Sequence, residues 1–255
     1  NYYFTTDCFN DNIEFVKSFY NITQSLPFNI YWSSYARPDL AHRYPESIDM
    51  MLESGAVSNF YGIETINKNA AKLAGRGLSF DKILEVLAKF KEKKPEYFIK
   101  AFFIAGLPGD TVKSTLETIK WMSTQTIINS ASIQPLEIEP TISDLKLIDN
   151  AEFSINPKKY GFSEVSFYPN YYWKHTTMDY TTALRLEKAW VRAISQNRYM
   201  NNLSSISVAE LQTLIGSKNM FPIKNYSKVI EKYSANFLKK YYNNLEEVLS
   251  SEYIN

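Results

Sequence analysis

The chain has 255 residues, a formal net charge of +1, 45% hydrophobic and 22% charged residues, and one cysteine. This is the make-up of a globular protein long enough to bury a core without disulfides or structural metal. Near-neutral charge argues against a broad nucleic-acid face, no apolar run approaches the ~18 residues that span a bilayer, and no secretory signal is visible, so the cytoplasm is the expected compartment.

The chain opens without Met on Asn1-Tyr2-Tyr3-Phe4-Thr5-Thr6-Asp7, which reads as the end of a strand running into a loop. The expectation is therefore a piece of something longer. Ile13, Phe15, Val16, Phe19 and Tyr20 give a first helical face. Residues 29–33, 57–63, 99–104 and 131–138 read as buried strands, being short and rich in β-branched or aromatic residues. Between them, Ile48, Met51 and Leu52 mark a helix with Pro45 near its start and Gly55 as its stop. Phe80, Ile83, Leu84, Leu87 and Phe90 mark another, with Ser79 as N-cap. Val112, Leu116, Ile119 and Met122 mark the next. Strand and helix alternating in ~30-residue units predict a parallel sheet with crossover helices, open or curled.

Past about residue 145 the pattern changes. Residues 166–178 read as aromatic and irregular, 180–200 as helical, and 205–250 as a helical tail. The expected division is 1–145 for the α/β unit and 146–255 for an aromatic segment and helical C-terminal region.

Ligands of parallel α/β folds sit at the carboxyl ends of the strands. The strands deliver there Thr5, Thr6 and Asp7; Tyr35 and Arg37; Glu64 and Thr65; Gly106 to Asp110; and Glu137 and Glu139. Arg76 returns soon after the third strand, between Gly75 and Gly77. Arginines for a carboxylate and acids for an ammonium or hydroxyls suit a small zwitterion. Taken singly, each has a plainer reading: Asp110 as an N-cap, Gly106 and Gly109 as a turn, Arg76 on helix-end carbonyls.

In order and spacing, Phe60-Tyr61-Gly62-Ile63-Glu64-Thr65, Gly75-Arg76-Gly77 and Phe103-Ile104-Ala105-Gly106-Leu107-Pro108-Gly109-Asp110-Thr111 resemble the radical S-adenosylmethionine (SAM) enzymes. Thr5-Thr6-Asp7-Cys8-Phe9, Tyr35-Ala36-Arg37-Pro38-Asp39, Gln134-Pro135-Leu136 and Trp173 to Met178 resemble the branch whose members often carry an N-terminal cobalamin-binding domain. The resemblance implies an incomplete (β/α) TIM-like barrel with parallel strands, followed by the helical C-terminal region. It implies SAM as cofactor: Thr5, Thr6 and Asp7 at its amino group, Glu64 and Arg76 near ribose and carboxylate, with Arg37 beside them. Backbone at Ile104 to Gly106 and at Leu136 would flank the adenine.

The family also binds a [4Fe–4S] cluster through CxxxCxxC, and the intact protein would generate a 5′-deoxyadenosyl radical. This chain has only Cys8, so the cluster ligands are expected outside it and the chain alone is expected to be inactive. Cobalamin in an upstream domain is a further cofactor the resemblance allows. A small-molecule or peptide substrate is expected, with neither nucleic acid nor membrane as partner. Two other readings compete: a cluster-less binding or scaffold module, and a Mg²⁺-dependent barrel hydrolase or aldolase using Asp7, Glu64, Glu137 and Glu139. With two histidines, His42 and His175, and no cysteine cluster, zinc is not expected.

Overall fold

The structure, a computed structural model, describes residues 2–5, 8–138, 155–166 and 170–196. Five parallel strands form one sheet: β1 (Tyr2–Phe4), β2 (Trp32–Tyr35), β3 (Ala56–Glu64), β4 (Phe98–Ala105) and β5 (Ser130–Pro135). Their order across the sheet is their order in the chain. Each crossover therefore steps the same way. Right-handed connections then put the helices on one face and leave the other concave. This is the α/β incomplete-barrel class expected from the sequence.

The crossovers carry α1 (Ile13–Ser25), α2 (Pro38–Arg43), α3 (Glu46–Glu53), α4 (Lys68–Leu73), α5 (Phe80–Lys93) and α6 (Val112–Thr124). The core lies between them and the sheet. Tyr61, Ile99 and Phe103 meet Leu87 and Phe90 of α5 and Met122 of α6, all buried. Each fully buried side chain of this size contributes about 1.5–3 kcal/mol. Thr111 starts α6 with a reciprocal capping box to Ser114. Ser79 precedes α5 in extended backbone but makes no side-chain cap bond.

β2 differs from its sequence reading. Residues 29–31 stay outside, and the strand starts at Trp32 and runs past Ser33 to Ser34 and Tyr35. Both serines are buried, and both are satisfied: Ser58 Oγ donates to Ser33 Oγ at 2.8 Å, and Asn59 Nδ2 donates to the Ser34 carbonyl at 2.9 Å. A polar strand was paid for by polar neighbours. β5 ends at Pro135, earlier than the apolar run to Ile138.

The described residues on either side of 167–169 form regular structure that the sequence reading did not expect. β6 (Phe162–Ser166) and β7 (Tyr172–His175) form an antiparallel pair. Trp173 is fully buried and donates from Nε1 to the Leu136 carbonyl at 2.7 Å. A last helix, α7 (Tyr180–Gln196), lays Leu186 and Trp190 on the same core, with Trp190 5.4 Å from the Phe103 ring. The tail read as helical at 205–250 lies outside the described residues. Among the described residues, no helix is long and apolar enough to cross a membrane.

Candidate functional site

At the carboxyl end of β2 the chain turns into α2 with Arg37 in the N-cap position. The amide of Asn10, itself buried, clamps that backbone from both sides. Its Nδ2 donates to the Arg37 carbonyl at 2.8 Å, and its Oδ1 accepts from the Arg37 N–H at 2.7 Å. The guanidinium reaches Asp39 Oδ2 at 2.8 Å and Asp11 Oδ1 at 3.2 Å. Burial works against the Asp39 charge, but the Arg37 hydrogen bonds and charge prevail and hold its carboxyl below the ordinary range.

β3 ends on Glu64. A bulge between Gly62 and Glu64 shifts the register against β4. Glu64 has φ 69°, the one positive value at a non-glycine residue among those described. Such a conformation costs an L-residue about 1–2 kcal/mol, and strain of this kind collects at functional sites. The carboxylate folds back over Gly62, where a Cβ would overlap Glu64 Oε1. Burial pushes the Glu64 carboxyl up, and the Arg76 charge pulls it back down.

Arg76 is aimed at Glu64 by the end of α4. Gly75 takes φ 73° and donates to the Lys72 carbonyl, and the Arg76 N–H donates to the Ala71 carbonyl at 2.9 Å. These two bonds are a Schellman stop. It leaves Arg76 facing back across the loop, with Nη2 2.7 Å from Glu64 Oε1. The carboxylate and the guanidinium singled out in the sequence are thus bonded to each other.

Both groups line a cavity of about 730 Å³, with Arg37, Cys8, Tyr35, Phe60 and Phe102 also on its walls. That volume lies within the range of about 300–1,000 Å³ usual for small-molecule sites. So the structure brings together Arg37, Glu64 and Arg76. Thr5, Ile104, Gly106 and Leu136 do not line this cavity. Gly106 (φ 96°) and Leu136 are buried under Trp173, whose indole packs where a Gly106 Cβ would stand. Thr6, Asp7 and Glu139 lie outside the described residues. Asp110 is not the N-cap of α6; its buried carboxylate accepts from Asn67, Ser114 and Thr65 and ties two rim loops together.

Sequence reasoning missed Lys100, which is buried on β4. Its signal was a lysine in mid-strand, in FIKAFFIA. Among the described residues, no group of three or more His, Cys, Asp or Glu could hold a metal ion. Cys8 alone does not fit an iron–sulfur cluster. The donor set does fit a zwitterionic organic ligand.

Comparison of the structure with solved ones gives archaeal Methanocaldococcus infernus Elp3, lacking its N-terminal residues 1–46, at a TM-score of 0.50 and 16% identity, over 74% of this chain. The fold resembles the partial barrel of radical SAM enzymes. The radical SAM methyltransferase TsrM from Kitasatospora setae, with cobalamin and a [4Fe–4S] cluster bound, matches at 0.43 and 12% identity over 52% of this chain. The radical SAM enzyme coproporphyrinogen III oxidase from Escherichia coli matches at 0.42 and 17% over 61%. The chain spans 38%, 25% and 39% of these three chains. At such identities the likeness is one of fold. No family model and no curated protein matches the sequence.

Proposed function

We propose that the cavity binds S-adenosylmethionine, as part of a radical SAM active site whose [4Fe–4S] ligands lie outside this chain. The observation that carries this reading is the Glu64–Arg76 pair on the cavity wall. A strained strand end and a Schellman stop hold a carboxylate and a guanidinium side by side, where neither is needed by the core. A zwitterion that brings a carboxylate to Arg76 and hydroxyls to Glu64 exchanges one set of charge-assisted bonds for another. Arg37 offers a second cation on the same wall.

In this reading Thr5, Thr6 and Asp7 take the amino group; the adenine edge that the resemblance puts at Ile104, Gly106 and Leu136 lies outside the cavity, with Gly106 and Leu136 covered by Trp173. This chain does not supply the cluster's ligands; in the intact protein a cluster held elsewhere would provide the electron for sulfonium cleavage. This chain's residues hold and orient the ligand and keep water from it. Alone, the chain generates no radical. Cobalamin, held by a separate upstream domain, belongs to the proposal through the sequence resemblance. The compartment is the cytoplasm, where a single thiol stays reduced.

Thermal unfolding with and without SAM tests the assignment. A ligand at about 100 times its Kd adds about 2.7 kcal/mol to stability. The expected result is a SAM-dependent rise in Tm that Glu64→Ala and Arg76→Ala each abolish. No rise at millimolar SAM, or a rise that both variants keep, overturns it.

A further inference from the structure

One row across the concave face runs Tyr35, Phe60, Lys100, Ser130, each paired in register with the next. Tyr35 and Phe60 line the cavity, so Lys100 and Ser130 share the cavity face of the sheet. The next row toward the rim carries Phe102, which also lines the cavity and stacks on Tyr35 at 5.8 Å. Lys100 Nζ lies 4.8 Å from the Phe102 ring centre and 3.5 Å from Ser130 Oγ. Lysine and serine are both fully buried.

Placing an amine in mid-strand at 1% exposure opposes folding, since burial disfavours its charge. Burial pushes the Lys100 amine down to about 8. A core methionine would fill the same volume at no such cost. Three rings lead from the rim to this one amine, and Phe102 both walls the cavity and caps the ammonium. Lys100 itself does not line the cavity; Phe102 stands between, and its ring has to turn aside for a ligand to reach the amine.

We propose that the cavity takes a second ligand, the substrate: a flat apolar molecule bearing a carboxylate, its body against Tyr35, Phe60 and Phe102 and its carboxylate on Lys100 Nζ. Aromatic walls with one buried polar anchor are how such sites fix orientation. This deepens the reading above and rests on it in taking the cavity as the ligand site.

The test is calorimetric titration of the full chain with 2-naphthoate and with its uncharged counterpart 2-naphthamide. The wild type is expected to bind the carboxylate about tenfold more tightly, the size of a charge-assisted hydrogen bond. Lys100→Met should erase the difference by weakening the carboxylate's binding more than the amide's. Equal affinities in the wild type, or a preference that survives in Lys100→Met, overturn the inference. The wild type also gives an answer that needs no variant to fold. With ¹³C-labelled lysine, the Lys100 Cε resonance should move with naphthoate and stay with naphthamide; no movement with naphthoate overturns the inference. SAM stabilisation without any naphthoate preference sinks this inference alone. A Lys100-dependent preference without SAM stabilisation sinks the SAM reading and leaves this one.

Discussion

Glu64 rests its carboxylate on the bare backbone of Gly62, two residues back along the same strand. The overlap that any side chain at Gly62 would make falls on the flexible end of Glu64. Gly62→Ala should therefore fold, at a cost of about 1–3 kcal/mol. It should swing the carboxylate off Arg76. SAM stabilisation should fall with it. Chemical denaturation and a SAM melt on one preparation check both halves; a variant that keeps full SAM stabilisation contradicts the packing described.

The positive φ of Glu64 gives an opposite kind of outcome. Asparagine tolerates that backbone better than most residues. Glu64→Asn loses a part-exposed ion pair worth about 0–1 kcal/mol and relieves strain of about 1–2 kcal/mol. The variant should melt at or above the wild-type Tm and still lose its response to SAM. A clear loss of stability would show that the strain is absent or that the pair contributes more than such pairs usually do.

Gly106 and Trp173 should be coupled. Gly106→Ala drives a Cβ into the indole and should cost about 2–4 kcal/mol. Trp173→Ala removes a buried ring and should cost about 3–5 kcal/mol. Together they should cost less than their sum, because the second change makes room for the first. Urea unfolding of the two single variants and the double variant measures this, and strict additivity would contradict the contact.

Asp110 should give stability a pH dependence of known sign. Burial pushes its carboxyl up to about 6, against 3.8 for a solvent-exposed aspartate. The folded chain then holds a proton that the unfolded chain has released between these values. Stability falls as pH rises through about 4 to 6, by an amount on the order of 2 kcal/mol, and is flat above. Glu64, whose pKa is also raised, acts in the same sense. Asp110→Asn mimics the protonated form. The difference between wild type and Asp110→Asn should be near zero at pH 4 and favour the variant at pH 7. A wild type that is the more stable at pH 7 would reverse the sign and reject the account.

Legibility in the sequence followed the chemistry of each stretch. β4 showed because its apolar run is broken only by Lys100, and β3 because Phe60-Tyr61-Gly62-Ile63 reads as a strand despite Ser58 and Asn59 before it. β2 was displaced because Ser34 looks like the start of a loop until Asn59 is placed beside it. α2, six residues long, is too short to show a helical period. The hairpin was hidden because its alternation is interrupted at Phe162 and Glu164 by a register shift. Glu64 and Arg76 could be picked out by strand end and glycine frame, but their direct pairing needed the bulge and the Schellman stop. Lys100 looked like one more strand residue, since no spacing rule marks a buried amine.

Trp173 also has a meaning for the order in which the chain assembles. Its indole is buried only when Gly106, Leu136 and Phe162 have all arrived, and its bond to Leu136 spans 37 positions. Its packing on Gly106 spans 67 positions, against at most 40 between paired residues of neighbouring strands. Closure entropy and contact order then make docking of the hairpin a late event. The tryptophan that seals the rim is thus among the large side chains that leave water late, after the strands beneath it have paired.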